Sequence, residues 1–424
     1  MDPLSSCGAK RARTALGGET SSALPSSHGS CTRDWVNLCG DGPTGLIAEL
    51  VLAGGDVADY VRFRAVCSPW RRCSPAPRDL PGGGLDRRLF PRRWIMLDKA
   101  LVGPRCQRFL NISTGKCIRM DLPELDDEHR FLALTPEGLL LLLHESTLVV
   151  RLLNPLTRQL IDLPPITGLL TREQRQARRL GHDFAPDLRV DGVGIVADDA
   201  TMVIVRFLFP TVLAIAKPGS ERWTVVNSGN ISSTIIFAGR FYCTTSRAVM
   251  MLDTGSAGAG QKPRLRVAVA WRRWFCFRPM THSLHLVDNG GELLLVHRML
   301  VWRPDMDPNG NNHKYDVYRV DLNARILVPV KSLNGRAVFM GMCRAISVSV
   351  EVFPTVAADV LYLGTDCDEK RRMDGYNIVL DGSNEPRHGD RWLVNGRGGT
   401  ASMRASSSRW ECQSQDADVE SIVE

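Results

Sequence analysis

From Trp94 onward the chain is a succession of short apolar runs broken by turn residues. WIMLD, QRFLNISTGKCIRMDLP, LLLLLHESTLVVRLLNPLTRQLIDLPP, TMVIVRFL, TVLAIAKPGSERWTVV, TIIFAGRFYCTT, AVMMLD, SLHLVDNGGELLLVHRML, YDVYRVDL and VLYLGTD all read as strands. They are rich in β-branched and aromatic residues and are bounded by Gly, Pro, Asn and Asp. Three stretches share one grammar, FLNISTGKCIRMDLP, LLNPLTRQLIDLPP and AIAKPGSERWTVV. Each is an apolar strand, a turn with Ser-Thr-Gly, Asn-Pro or Lys-Pro-Gly, a second strand, and then Leu-Pro or Trp. Hairpins that recur at intervals of roughly 40 to 60 residues are the pattern of a propeller, although irregular spacing does not fix a blade count. A two-sheet sandwich is the alternative, but roughly 290 residues of hairpins exceed one such domain.

The pattern before residue 73 is different. In GGDVADYVRFRAVCSPWRR, residues 54–72, Tyr60, Phe63, Cys67 and Trp70 recur at spacings that place them on one stripe of an α-helix, with Arg62, Arg64 and Arg71 off it. Asp56 stands where an N-cap belongs. Upstream, Leu46, Ile47, Leu50, Val51 and Leu52 supply further apolar surface, and Gly42 and Pro43 delay the start of a first helix to about Thr44. Between the two patterns, CSPAPRDLPGGGLDRRLFPRR (73–93) carries four prolines and three consecutive glycines and reads as a boundary.

The string DW at 34–35, followed by LIAELVLAGGDVADYVRFRAVCSPWRR, resembles the F-box of a large plant family. A second stretch, VFPTVAADVLYLGTDCDEKRRMDGYNIVLDGSNEP (352–386), resembles the closing segment of that family's carboxyl domain, a domain similar in pattern to kelch-related, F-box-associated β-propellers. The resemblance implies a receptor without catalysis of its own. Its F-box would dock on a Skp-type adaptor of a cullin-RING ubiquitin ligase, and its β domain would recruit a target protein. The docking residues it implies are Leu38, Leu46, Ile47, Leu50, Tyr60, Val61, Val66 and Trp70. The opening departs from the family pattern: Cys39 follows Leu38 where a proline belongs, and Gly42-Pro43 stand in place of an apolar pair. That departure favours a second reading, a propeller scaffold whose degenerate F-box does not engage the ligase.

Composition bounds the function further. The 424 residues are 44% hydrophobic, enough for a substantial core. No apolar run is long enough to span a bilayer, and residues 1–30 have no signal-peptide core, so an intracellular protein, nuclear or cytoplasmic, is expected. The net charge is +7, but the basic residues are dispersed. Small clusters at Lys10–Arg13, Arg87–Arg93 and Arg172–Arg179 lack the aromatic interleaving of a nucleic-acid surface. The twelve cysteines form no Cys-x-x-Cys pair and read as reduced, with no metal site. DMDPNGNNHKYD (305–316) places oxygen ligands partly like a calcium loop, yet Asp316 replaces the terminal Glu and strand-like runs flank it, so a polar hairpin loop explains it. No nucleophile elbow, phosphate loop or paired acid–base motif is present, and no cofactor is expected. WRRWFCFRPM (271–280) mixes aromatics and arginines; core packing is the plain reading, and a target-binding rim through Trp271, Arg273 and Trp274 is the functional one.

The expectation is therefore an α+β, multidomain chain. A tail (1–33) precedes a small all-α F-box (34–72) and a linker (73–93). A large all-β propeller-like domain (94–390) and a Ser-rich, then acidic, tail (391–424) follow.

Overall fold

The computed structural model describes residues 43–54, 56–77, 86–97, 106–181, 188–197, 201–254, 262–271, 275, 277–278, 282–300, 313–341, 344–363, 375–379 and 382–384. Both tails, Leu38, Arg273, Trp274, Lys10–Arg13 and most of the 305–316 loop lie outside these residues.

Six antiparallel-based sheets form the six blades of a β-propeller. Blade 1 holds β1–β3 (Trp94–Met96, Cys106–Asn111, Cys117–Asp121), and blade 2 holds β4–β7 (His129–Leu134, Leu140–His144, Val149–Leu153, Leu160–Pro165). Blade 3 holds β8–β11 (Val190–Ala197, Thr201–Phe207, Val212–Ala216, Thr224–Asn227), and blade 4 holds β12–β15 (Ser233–Phe237, Arg240–Thr244, Ala248–Asp253, Arg264–Ala270). Blade 5 holds β16–β19 (His282–Asp288, Leu293–Leu300, His313–Asp321, Ile326–Pro329). Blade 6 holds β20–β24 (Arg336–Met340, Ala345–Ser349, Val360–Leu363, Gly375–Asn377, Gly382–Asn384). In blades 1 to 5 the strands lie in sequence order. Blade 6 breaks the rule: the order is β21-β20-β22-β23-β24, and β22 runs parallel to β20 with Val338 opposite Leu361.

Why the strands read as nearly continuous apolar runs follows from this stacking, because each blade is covered on both faces. In the run 139–143, Leu139, Leu141 and Leu143 enter the contact with blade 3, while Leu140 and Leu142 enter the contact with blade 1. In the same way Leu293 and Leu295 face blade 4, and Leu294 and Val296 face blade 6. Successive side chains point to opposite faces, so a run such as LLLLLH supplies two interfaces at once. Among the described residues the core consists of six clusters, one at each contact between neighbouring blades. The last closes the ring by packing Ile95 and Leu97 of the blade 1 segment on Ala337, Phe339, Ile346 and Val348 of blade 6.

The shared hairpin grammar has a physical basis here. Each of the three turns carries one residue with positive φ: Gly115 (70°), Arg158 (58°) and Gly219 (75°). The Asn154 side chain accepts from the backbone N–H groups of Leu156 and Thr157, fixing the Asn-Pro turn. The terminal Leu-Pro and Trp meet across blades: the indole N–H of Trp223 donates to the carbonyl of Pro164 at 2.7 Å.

Three helices precede the ring, α1 (Thr44–Ala53), α2 (Val57–Ala65) and α3 (Ser68–Cys73). The single stripe through Tyr60, Phe63, Cys67 and Trp70 is not one helix. Cys67 is extended (φ −162°, ψ 163°), because a helix continued through Pro69 would lose a backbone hydrogen bond and drive the ring into the carbonyl of Ala65. The turn back still brings Phe63 and Trp70 together, with ring centroids 4.5 Å apart.

The helices do not have a core of their own. Leu52, Val57, Tyr60 and Phe63 share one cluster with Trp94, Phe109, Leu140 and Leu142 of blades 1 and 2. The stretch read as a boundary supplies part of the seam: Leu89, fully buried, sits in that cluster, and its carbonyl accepts from Asn154 Nδ2 at 2.9 Å. Asp56 ties the two parts by hydrogen bonds. One carboxylate oxygen caps α2 at the Ala58 N–H and accepts from Trp94 Nε1 at 3.3 Å, while the other accepts from Asn111 Nδ2 at 3.2 Å.

Asp56→Ala removes a cap and strands two buried donors, so it is expected to destabilise the chain by about 2–3 kcal/mol, read as a lower denaturant midpoint. Acid should act at the contact of blades 4 and 5. There His297, 3% exposed, lies 2.9 Å from His282 Nδ1 and stacks on Phe275. Burial, with His282 adding to it and Asp316 opposing, pushes its pKa down to about 4. An unfolded histidine binds its proton near pH 6.5, so stability is full above that pH and falls as the pH drops from 6.5 toward 4, by up to ~3 kcal/mol. Urea unfolding at pH 7 and pH 5 should show the loss, and His297→Gln should reduce it while leaving the share of His285, whose pKa burial also pushes down to about 4.

Candidate functional site

Two places in the structure present chemistry to solvent. The first is α1. Thr44, Ala48 and Leu52 recur every four residues and are buried on one face. Leu46 and Leu50 are each 71% exposed, and Ile47 is 37% exposed. Exposed Val66 follows the end of α2. Leucines left this open on a helix of ten residues are the unusual observation, since isolated exposed apolar side chains are common but an outward stripe is not.

The other residues expected beside them are placed elsewhere. Tyr60 and Val61 are 0% and 8% exposed and belong to the core joining helices to propeller; the Tyr60 hydroxyl donates to the Pro75 carbonyl at 2.8 Å. They hold the helices in place and are not available to a partner. Trp70 is half-buried against the same core. Trp271 is also packed: its indole N–H donates to the Thr245 carbonyl at 3.3 Å and its ring lies 4.7 Å from Phe275, at the contact of blades 4 and 5.

The second place is the propeller axis, where a cavity of about 490 Å³ is lined from all six blades. Its walls are unlike one another. Blades 3 and 4 contribute Gly192, Val193, Ile195, Thr234, Ile235 and Ile236. Gly192 and Gly194 are required here because the strands converge: a Cβ at Gly192 would collide with the Thr234 side chain, and one at Gly194 with Ile236. The opposite arc carries Arg87 and Arg92 from the segment leading into blade 1, Glu137 from blade 2, and Arg336 and Arg344 from blade 6.

Several of these charges are held by neighbours. Arg336 donates through Nε to Ser347 Oγ at 2.7 Å and through Nη2 to the Ser347 carbonyl at 3.1 Å. Ser347 in turn donates to Asn289 Oδ1 at 2.7 Å. Arg344 donates to the Thr135 carbonyl at 3.3 Å, and Arg92 lies 5.7 Å over the Phe90 ring. Glu137 is 4% exposed; Oε1 accepts from the Ile195 N–H at 3.3 Å, and Oε2 is buried with no hydrogen-bond partner. Burial raises its pKa, while the backbone N–H, Thr135 and Arg92 oppose the shift. Burial lowers the pKa of Arg344, and Glu137 opposes.

The axis cluster was not legible in the sequence, because Arg87 and Arg92 lie in the stretch read as solvated linker and Arg344 is more than two hundred residues away. The one local signal is the Gly-x-Gly of VDGVGIVA, which marks close backbone approach. Among the described residues no group of His, Cys, Asp and Glu side chains is arranged to hold a metal ion, and no helix is long and apolar enough to cross a membrane.

Six two-faced blades around a lined axis define a six-bladed β-propeller, with a helical cap packed on its first two blades. Residues 109–381 match the family described as KIB1-4 beta-propeller, and the chain belongs to that family. No curated protein matches it. Solved structures resemble it distantly. Kuenenia stuttgartiensis hydrazine synthase is 13% identical over 66% of this chain and 88% of that one, with a TM-score of 0.30. AztD of Citrobacter koseri is 8% identical over 73% of this chain and 88% of its own, also with a TM-score of 0.30.

Adding a methyl group at Gly192 forces either Thr234 or the strand to move. Gly192→Ala is expected to cost about 1–3 kcal/mol, seen as a lowered thermal midpoint, and Gly192→Ala with Thr234→Ser should recover part of it.

Proposed function

We propose that this protein is a non-catalytic substrate receptor of a cullin-RING ubiquitin ligase, acting in the nucleus or cytoplasm. Its helices α1 to α3 take the F-box role and dock on a Skp-type adaptor, and its propeller holds a target protein. The observation that carries this reading is the outward apolar stripe of α1, with Leu46, Ile47 and Leu50 exposed while Ala48 and Leu52 anchor the same helix inward. The sequence likeness of 34–72 to a plant F-box supports it, and a propeller platform suits target recruitment. Ubiquitin transfer itself belongs to other subunits.

A second reading, a propeller scaffold outside any ligase, is favoured by Pro43. It occupies the N-cap of α1 with no side-chain cap, where an intact motif would begin the docking helix.

Calorimetric titration of the full chain with a purified plant Skp-type adaptor distinguishes the two. The receptor reading expects a Kd of about 1 μM or tighter. Removing two leucines that each contribute about 2 kcal/mol when buried should weaken binding by at least ~100-fold in Leu46→Asp/Leu50→Asp, with an unchanged thermal midpoint. Absence of heat with the unaltered chain would establish the scaffold reading.

A further inference from the structure

We infer that the axial cavity is a binding site for a small amphipathic organic anion, one carboxylate or phosphate group on an apolar body. Three observations converge on that chemistry. The first is charge placed on one side: Arg87, Arg92, Arg336 and Arg344 are brought from blades 1 and 6 to the same arc, where Glu137 is the buried counter-charge. Asp288, the other lining carboxylate, is turned to its own hairpin, accepting from the Gly291 N–H at 2.7 Å. Guanidinium groups present forked donors that match carboxylate and phosphate oxygens.

The second is the opposite wall. Val193, Ile195, Ile235 and Ile236, with the bare backbone of Gly192, line the arc across the axis from the arginines. A hydrated inorganic ion gains nothing from such a surface, whereas the body of an organic acid is desolvated by it. The volume, about 490 Å³, falls among cavities that enclose small organic molecules, roughly 300–1,000 Å³.

The third is Glu137. Its Oε2 is buried in the cavity wall without a hydrogen-bond partner, and burial raises the pKa of the carboxyl, so it opposes an entering anion less than an exposed carboxylate would. The site lies apart from the α1 stripe, so anion binding and adaptor docking stand or fall separately.

The full-length protein is titrated by calorimetry with phenyl phosphate, salicylate, inorganic phosphate and benzyl alcohol. The inference expects saturable one-to-one binding of phenyl phosphate or salicylate, at least ~10-fold tighter than inorganic phosphate or benzyl alcohol. Loss of a charge-assisted hydrogen bond should weaken it by about tenfold or more in Arg344→Gln and in Arg92→Gln. Arg178→Gln, on the exposed helix Arg172–Arg179, should leave it unchanged. Because Arg344 is set into the wall and its variant can fail to fold, Arg92→Gln, at an exposed side chain, decides in that event. No saturable binding of either organic anion, equal affinity for inorganic phosphate, or equal loss in Arg178→Gln would each overturn the inference.

Discussion

The constraint on which the rest depends is that a propeller blade has no outer side. Each sheet presents two apolar faces, and neither is covered unless both neighbours are in place, so the six interfaces are bound to one another by closure. Hydrophobic burial along the ring is worth about 25 cal/mol per Å², but it is realised in full only when the last blade reaches the first. Here that joint is made by side chains. Among the described residues no strand of the amino-terminal segment completes the last sheet. Ile95 and Leu97 instead lie against Phe339, Ile346 and Val348, and the unusual strand order of blade 6 places β21 and β20 to receive them. The ring is sealed by packing.

The helices extend the same logic. Blade 1 has three described strands where blades 2 to 5 have four, and Leu52, Val57, Tyr60 and Phe63 of the helices join the core between it and blade 2. Asp56 then serves two structures with one carboxylate, a helix start and a blade edge. The buried hydroxyl of Tyr60 has the same double character, apolar body inward and polar tip on the carbonyl of Pro75. Residues that look like a binding face in a helical projection are thereby consumed by the fold.

What the sequence made legible was whatever is local. Short apolar runs, the Ser-Thr-Gly, Asn-Pro and Lys-Pro-Gly turns and the Asp56 cap are decided within a few residues, and each has its counterpart in the structure. β4, β8, β15, β19 to β21, β23 and β24 escaped notice; in β8 and β4 the glycines of VDGVGIVA and the mixed HRFLAL lower the β signal. The helix break at Cys67 was hidden by a stripe that two packed helices reproduce as well as one. The axial arginines were least visible of all, since Arg87, Arg92, Arg336 and Arg344 become neighbours only when the ring closes, and no spacing along the chain encodes that.

The core shared by the helices and blades 1 and 2 has a mechanical consequence. A module joined by a flexible tether samples a cloud of positions, and its local concentration falls with tether length. With Leu89 pinned in the seam and Asp56 bridging to Trp94 and Asn111, the outward face of α1 keeps one bearing relative to the propeller axis. Two molecules held at these places would sit on a ruler of fixed length and angle. Which atoms of one could meet the other would be settled by the protein's shape, with nothing left to diffusion of a linker.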